Sequence, residues 1–182
     1  MSSSPAELGI WTTIADEAAE ESPLWAAALR PRGEREETPV FSALGEGRFA
    51  LGLESIYEGY LLHYGHPRLF SPADSDTAIL LGDYLYAHGL VRVAALGEVA
   101  VVADLAELIS LCSQLRAEGR DSDGAAWAGT VGALGTADAR LEAARLALRQ
   151  DADPAPLLAL AELEAGAAAV DRALALHADR VE

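Results

Sequence analysis

Glu54 and Glu58 stand four residues apart in a stretch whose apolar positions Phe49, Leu53, Ile56 and Tyr60 have helical spacing. Residues at i and i+4 share a helix face. The pair therefore reads either as a solvated face or as a two-carboxylate site for a hard cation such as Mg²⁺, which takes oxygen ligands in near-octahedral geometry. Asp83 lies on a second, strongly apolar helix and reads as a buried carboxylate that needs an arginine or backbone donor beside it. His63 and His66 flank a glycine- and proline-containing loop. With Glu58 they make only a poor metal set, because a third convincing ligand is missing. Tyr57, Tyr60, Tyr64, Tyr84 and Tyr86 fall in the same two helices, as aromatic packing or as the wall of a pocket for an apolar chain. His88 reads as a core or interface histidine. Cys112 has no activating partner in the sequence and reads as inert. Asp151 and Asp153 sit beside Pro154 and read as a helix cap.

The elements that must position these residues are helical. The chain has 182 residues, 51% of them hydrophobic and only 6% aromatic, so its apolar mass is mainly Ala, Leu and Val. Ala and Leu are among the best helix formers, and no segment has a persuasive period-two alternation. The expected fold is all-α, a single bundle of six to eight helices over residues 10–182, with a flexible N-terminus at 1–9. Residues 10–28 form one or two helices, restarted at Ser22-Pro23 by an N-cap and a first-turn proline. A charged, proline-bounded loop spans 31–39, and a helix runs over 40–62. Gly65, Pro67 and Pro72 hold 64–75 as a loop. Asp74 or Ser75 then caps a helix over 76–95 whose apolar residues go nearly all round, which predicts burial in the middle of the bundle. Further helices cover 98–117, 127–148, where Gly129, Gly132 and Gly135 suggest close helix–helix approach or a break near Gly135, and 156–180.

Charge and missing residue types exclude several functions. All 13 basic residues are arginine, so Schiff-base chemistry, a P-loop lysine and a lysine-based diphosphate cradle are ruled out. A net charge of −16 repels phosphate backbones, so no nucleic-acid partner is expected. One cysteine cannot make an internal disulfide, which fits a cytoplasmic protein. The N-terminus lacks a signal pattern, and no apolar run is long enough to span a bilayer, so no stable membrane insertion is expected.

Three segments together carry a family resemblance: Glu54-Ser55-Ile56-Tyr57-Glu58-Gly59, Tyr64-Gly65-His66-Pro67-Arg68 and Ala78-Ile79-Leu80-Leu81-Gly82-Asp83-Tyr84-Leu85. Over roughly residues 29–118 the chain resembles the trans-prenyl diphosphate synthases, all-α enzymes of the isoprenoid synthase fold, in shortened and degenerate form. The resemblance aligns Glu54 and Glu58 with the outer aspartates of the family's first Asp-Asp-x-x-Asp-Gly motif, and Ser55 with its middle carboxylate. Leu29-Arg30-Pro31 resembles the tail of Gly-Lys-x-x-Arg-Pro, with Ala26 and Ala27 at the Gly and Lys positions. Arg30 and Arg68 are thereby the candidate diphosphate contacts, because His63 and Tyr64 stand where the family has an arginine pair. Phe49, Tyr57, Asp83, Tyr84 and Gln114 are the implied cavity lining, Gln114 through the weaker match Leu111-Cys112-Ser113-Gln114.

The departures fall on the residues that bind metal and diphosphate, and neither the second aspartate motif nor the family's lysine-threonine pair has a counterpart. The resemblance thus implies a protein that has lost catalysis and needs no cofactor. It would act as a homodimer, or as the small or regulatory subunit of a heterodimer with a full-length prenyl synthase in isoprenoid biosynthesis, pairing through 82–117. Two alternatives stand beside it. One is an active Mg²⁺-dependent isoprenyl transferase using Glu54 and Glu58; the other is an unrelated helical adaptor.

Overall fold

The computed structural model describes residues 5–136 and 139–181. Among these it is all-α, with nine helices: α1 (Pro5–Glu21), α2 (Pro23–Ala28), α3 (Ala50–Tyr64), α4 (Ser75–Ala94), α5 (Val99–Ala117), α6 (Asp123–Gly132), α7 (Ala139–Asp151), α8 (Ala155–Ala165) and α9 (Ala167–Val181). None is long and apolar enough to cross a membrane. Residues 1–4 of the N-terminal segment expected to be flexible lie outside the described residues. Residues 5–9 are already helical, because Pro5 suits a first helical turn and Ala6, Glu7 and Leu8 extend it.

Several boundaries follow the expected local chemistry. Ser22 accepts a hydrogen bond from the Leu24 amide ahead of Pro23, and Asp74 accepts one from the Thr77 amide at the start of α4. Asp153 accepts from the Ala155 amide just ahead of α8, whose N-cap position is Pro154, while Asp151 ends α7, so the expected cap is only a local turn at Asp153. Gly135, at φ +74°, ends the turn after α6 as the glycine pattern implied. Other boundaries differ. The helix expected over 40–62 starts only at Ala50, because Gly45 and Gly47 break the preceding chain into short 3₁₀ turns at Ser42–Leu44 and Gly47–Phe49. The last helix splits at Gly166, φ +86°, into α8 and α9, which raises the helix count.

The centre of the bundle is α3, not α4. Every residue of Ala50–Leu62 except Leu51 is buried, and α3 contributes to both hydrophobic clusters. The larger cluster joins α3 to α5, α6, α8 and α9; the smaller packs Trp11, Ile14, Leu69, Phe70, Leu81 and Leu85 on its other side. Each such side chain contributes roughly 1.5–3 kcal/mol on burial. The helix α4 instead keeps Ile79, Leu80 and Val91 about half exposed or more. Its apolar circumference reflects two separate faces, one packed on α3 and one outward.

Glycines set how closely those two helices approach. Gly52 and Gly59 on α3 meet Gly89 and Gly82 on α4, so the helices run antiparallel with glycines seven residues apart on each. A Cβ at Gly59 would lie 2.8 Å from the Gly82 carbonyl oxygen, and one at Gly89 would lie 2.8 Å from that of Gly52. Both are closer than real Cβ contacts allow. Gly59 and Gly82, two of the residues that define the sequence pattern, are therefore explained by backbone contact alone.

Candidate functional site

The carboxylate pair of α3 faces the protein interior. Glu54 and Glu58 are 1% and 0% exposed, and fully buried Arg68 lies between them. Arg68 Nη1 donates to Glu54 Oε2 at 2.7 Å, and its Nε donates to Glu58 Oε2 at 3.0 Å. The remaining oxygens are also taken: Ser42 donates to Glu54 Oε1, and the Leu69 amide donates to Glu58 Oε1 at 2.7 Å. Arg68 Nη1 also reaches the Thr38 carbonyl at 3.0 Å. The guanidinium lies 4.6 Å from the Trp11 ring and 5.0 Å from that of Tyr57. Burial works against its charge, but the two carboxylates outweigh that and push its pKa up.

This arrangement corrects the reading of Glu54 and Glu58 as a solvated face. Nor do the residues suit Mg²⁺: all four carboxylate oxygens have protein donors, one of them a cation. A metal would first have to displace Arg68. A burial of this kind is tolerated because the pairing is hydrogen-bonded throughout. Among the described residues no group of three or more His, Cys, Asp or Glu is placed to hold a metal. Ser55 is not a third ligand; its hydroxyl donates back to the Leu51 carbonyl and accepts from Arg92.

The other residues singled out in the sequence are scattered. Arg30 donates to the Phe70 carbonyl at 3.1 Å and stitches 29–30 to 69–70, where Leu29 and Phe70 form an isolated antiparallel bridge. Asp83 is not buried; its side chain is 66% exposed, with Oδ1 3.2 Å from His63 Nε2. Gly82 leaves the space for that imidazole, since a Cβ there would lie 2.6 Å from His63 Nε2. Tyr84 packs on Trp25, and its hydroxyl shares a hydrogen bond with His88 Nδ1 at 3.0 Å. Gln114 donates to Glu118 and accepts from Arg149 at the surface. Phe49 is buried beneath Arg48. The implied lining set of Phe49, Tyr57, Asp83, Tyr84 and Gln114 is not brought around one cavity. Gly65 has a different neighbour: a Cβ there would lie 2.5 Å from the Arg180 carbonyl, which also accepts from the His66 amide at 2.8 Å. The loop is shaped by the docked C-terminal helix.

A second buried polar cluster joins α3 to α5, α6 and α9. Asp123 Oδ2, at the first position of α6, accepts from the Tyr60 hydroxyl, from Arg116 Nη2 at 2.7 Å and from His177 Nε2 at 3.1 Å. Arg116 Nε also donates to the Tyr60 oxygen at 2.9 Å. His177 thus bridges two buried groups, its Nε2 on the Asp123 carboxylate and its Nδ1 2.9 Å from the Tyr57 hydroxyl. Burial alone would raise the Asp123 carboxyl, but the hydrogen bonds from His177 and Tyr60 and the charge interactions with His177 and Arg116 hold it down at about 2. Burial pushes the Tyr57 and Tyr60 phenols, and the Cys112 thiol, well above their usual ranges.

This cluster borders a cavity of 520 Å³ lined by Arg116, Asp121, Asp123, Gly124 and His177 on one side and by Pro154, Leu158, Leu174 and Val181 on another. Perturbed titratable groups at a mixed polar and apolar cavity are the usual marks of a binding site. Sequence reasoning passed over Asp123, Arg116 and His177. Two signals pointed to them: tyrosine hydroxyls on a fully buried helix need partners, and His177 shares the apolar register of Val170 and Ala173 on α9. Comparison of the chain with protein-family models, with curated proteins and with solved structures finds no match.

Proposed function

We propose that this chain is a non-catalytic, prenyl-synthase-like subunit that acts by association. One observation carries the reading: Glu54 and Glu58, the positions the resemblance aligns with metal-binding aspartates, have all four oxygens engaged by Arg68, Ser42 and the Leu69 amide. An ionising diphosphate needs cations to draw charge off it, and this pair is already neutralised in part by an internal one. The helices that carry Glu54 and Asp83 are adjacent, as the resemblance requires, although the exposed Asp83 and the buried Glu54 do not face a common cavity.

The outward faces of α4 and α5 support association. Leu80, Val91 and Val99 are exposed there, Val91 at 63% and Val99 at 81%, and Ala87, Ala94, Ala103 and Ala106 on the same two helices are exposed as well, with Asp83 the charged exception on α4 beside them. In a chain of net charge −16, an outer face whose exposed residues are so largely uncharged suits burial against another subunit. The occupant is a second copy or a full-length trans-prenyl synthase, and sedimentation tests this. The purified chain alone, or mixed with a catalytically complete synthase encoded beside it, sediments as a dimer, and Val91→Asp with Val99→Asp returns it to monomer. A monomer under both conditions sinks the proposal. Wild-type Mg²⁺-dependent diphosphate release that is lost in Glu54→Gln/Glu58→Gln would establish the enzymatic alternative instead.

A further inference from the structure

A separate cavity of 350 Å³ lies where α1, the 39–43 segment and the start of α3 meet, and it has no part in the association reading. Its size is within the range of small-molecule sites. Its walls are mainly apolar: Ile10 and Trp11 from α1, Pro39 and Ala43 from the connecting segment, Ala50 and Leu51 from α3. Ser42, Arg48 and Glu54 also reach it, and both charges among them are already answered. Glu54 has its two oxygens engaged by Ser42 and Arg68. Arg48 is paired with Glu46 and Glu98 and lies over the Phe49 ring. An ammonium or carboxylate entering here would give up its water and find no free counter-charge.

Trp11 is the group left unanswered. It is 1% exposed, with the Arg68 guanidinium 4.6 Å from its ring, yet its indole Nε1 has no hydrogen-bond partner among the described residues. A buried indole N–H usually finds an acceptor, and without one its lost hydration is uncompensated. The cavity thus offers apolar walls, balanced charges and one orphan donor. A carbonyl oxygen suits that donor and brings no donor of its own to be satisfied. We propose that this cavity binds a small neutral carbonyl compound, its oxygen accepting from Trp11 Nε1 and its hydrocarbon body laid against Pro39, Ala50 and Leu51. Nε1 is covered by neighbouring atoms, so the oxygen reaches it as the half-buried Ile10 and Leu51 side chains yield.

The test titrates the intact protein with acetophenone, ethylbenzene, benzylamine and benzoate at neutral pH, followed by NMR. Acetophenone should move the Trp11 indole N–H signal saturably, that signal being identified by its loss in Trp11→Phe. Benzylamine and benzoate should bind at least about tenfold more weakly, since each must shed water without gaining a partner. In Trp11→Phe, followed at the Leu51 amide, acetophenone should weaken about fivefold, the scale of one net hydrogen bond, while ethylbenzene is unchanged. Ala43→Trp, which fills the cavity from an exposed lining position, should abolish binding of both. Benzylamine or benzoate binding as tightly as acetophenone overturns the proposal, as does equal weakening of acetophenone and ethylbenzene in Trp11→Phe. Binding that survives Ala43→Trp, or an indole signal unmoved by acetophenone at millimolar concentration, overturns it too.

Discussion

Two buried charge networks hang from α3, and Tyr57 touches both, resting on Arg68 through its ring and hydrogen-bonded to His177 through its hydroxyl. At Glu54–Arg68–Glu58 every carboxylate oxygen has a donor, and all three residues are sealed from solvent. At Asp123–His177–Arg116 one carboxylate oxygen is left over and the cluster opens on a cavity. The first network closes on itself and has no valence for a ligand. The second has one, yet its residues carry no recognisable motif. A motif can thus mark the part of a molecule where chemistry is least available, when a buried arginine has answered the charges that made it look reactive.

The largest expected effect breaks the first network. Arg68→Met leaves two buried carboxylates without a cation and should cost about 3–5 kcal/mol, a large share of a typical domain's stability, read from urea unfolding. A cost below about 1 kcal/mol would mean that Glu54 and Glu58 find water or a cation, and the contrast between the networks would fail. Asp123→Asn should cost less, roughly 2–3 kcal/mol, because His177, Tyr60 and Arg116 keep a polar neighbour at the open site.

The same residue gives the pH dependence its sign. Asp123 has a folded-state pKa of about 2, below its ordinary value of 3.8, so its contribution is complete above pH 4 and is lost as pH falls toward 2. That contribution is about 2 kcal/mol. Urea midpoints measured between pH 5 and 2 should show this loss in the wild type and a flatter profile in Asp123→Asn; equal slopes would show that the carboxyl is not held down by its partners. Tyr57→Phe is smaller again, about 1–2 kcal/mol, since it removes one hydrogen-bond partner of His177 and keeps the ring over Arg68. The smallest effect is the sharpest for the closed network: about 10 mM Mg²⁺ should leave the thermal midpoint unchanged within error, whereas a site with millimolar affinity would raise it.

Much of the helical scaffold was legible from local chemistry. Ser22 and Asp74 were readable as caps, and Gly135 as a break, because each acts on backbone groups within a few residues of itself. The central helix was not legible. Glu54 and Glu58 gave α3 a polar look, while α4 appeared apolar all round, so the order of burial came out reversed. Pattern reasoning counts a carboxylate as a surface residue and has no means of knowing that Arg68, ten or more residues away, will enter the core beside it. Asp83 failed for the converse reason: its apolar neighbours face outward on α4, and it goes with them.

The second cluster was out of reach for a related reason. Tyr57 and His177 are 120 residues apart, and Tyr60 and Asp123 are 63 apart. No spacing rule joins residues that meet only when α9 folds back over the loop at Gly65. By itself the sequence determined helix content, the caps, the absence of lysine chemistry and the glycines that permit close approach, since these depend on residue type and near neighbours. Only the tertiary structure decided which helix is central, which charges neutralise one another and which remain open to a ligand. Those are long-range matters, in which desolvation of each group is tolerated or not according to what packing brings beside it.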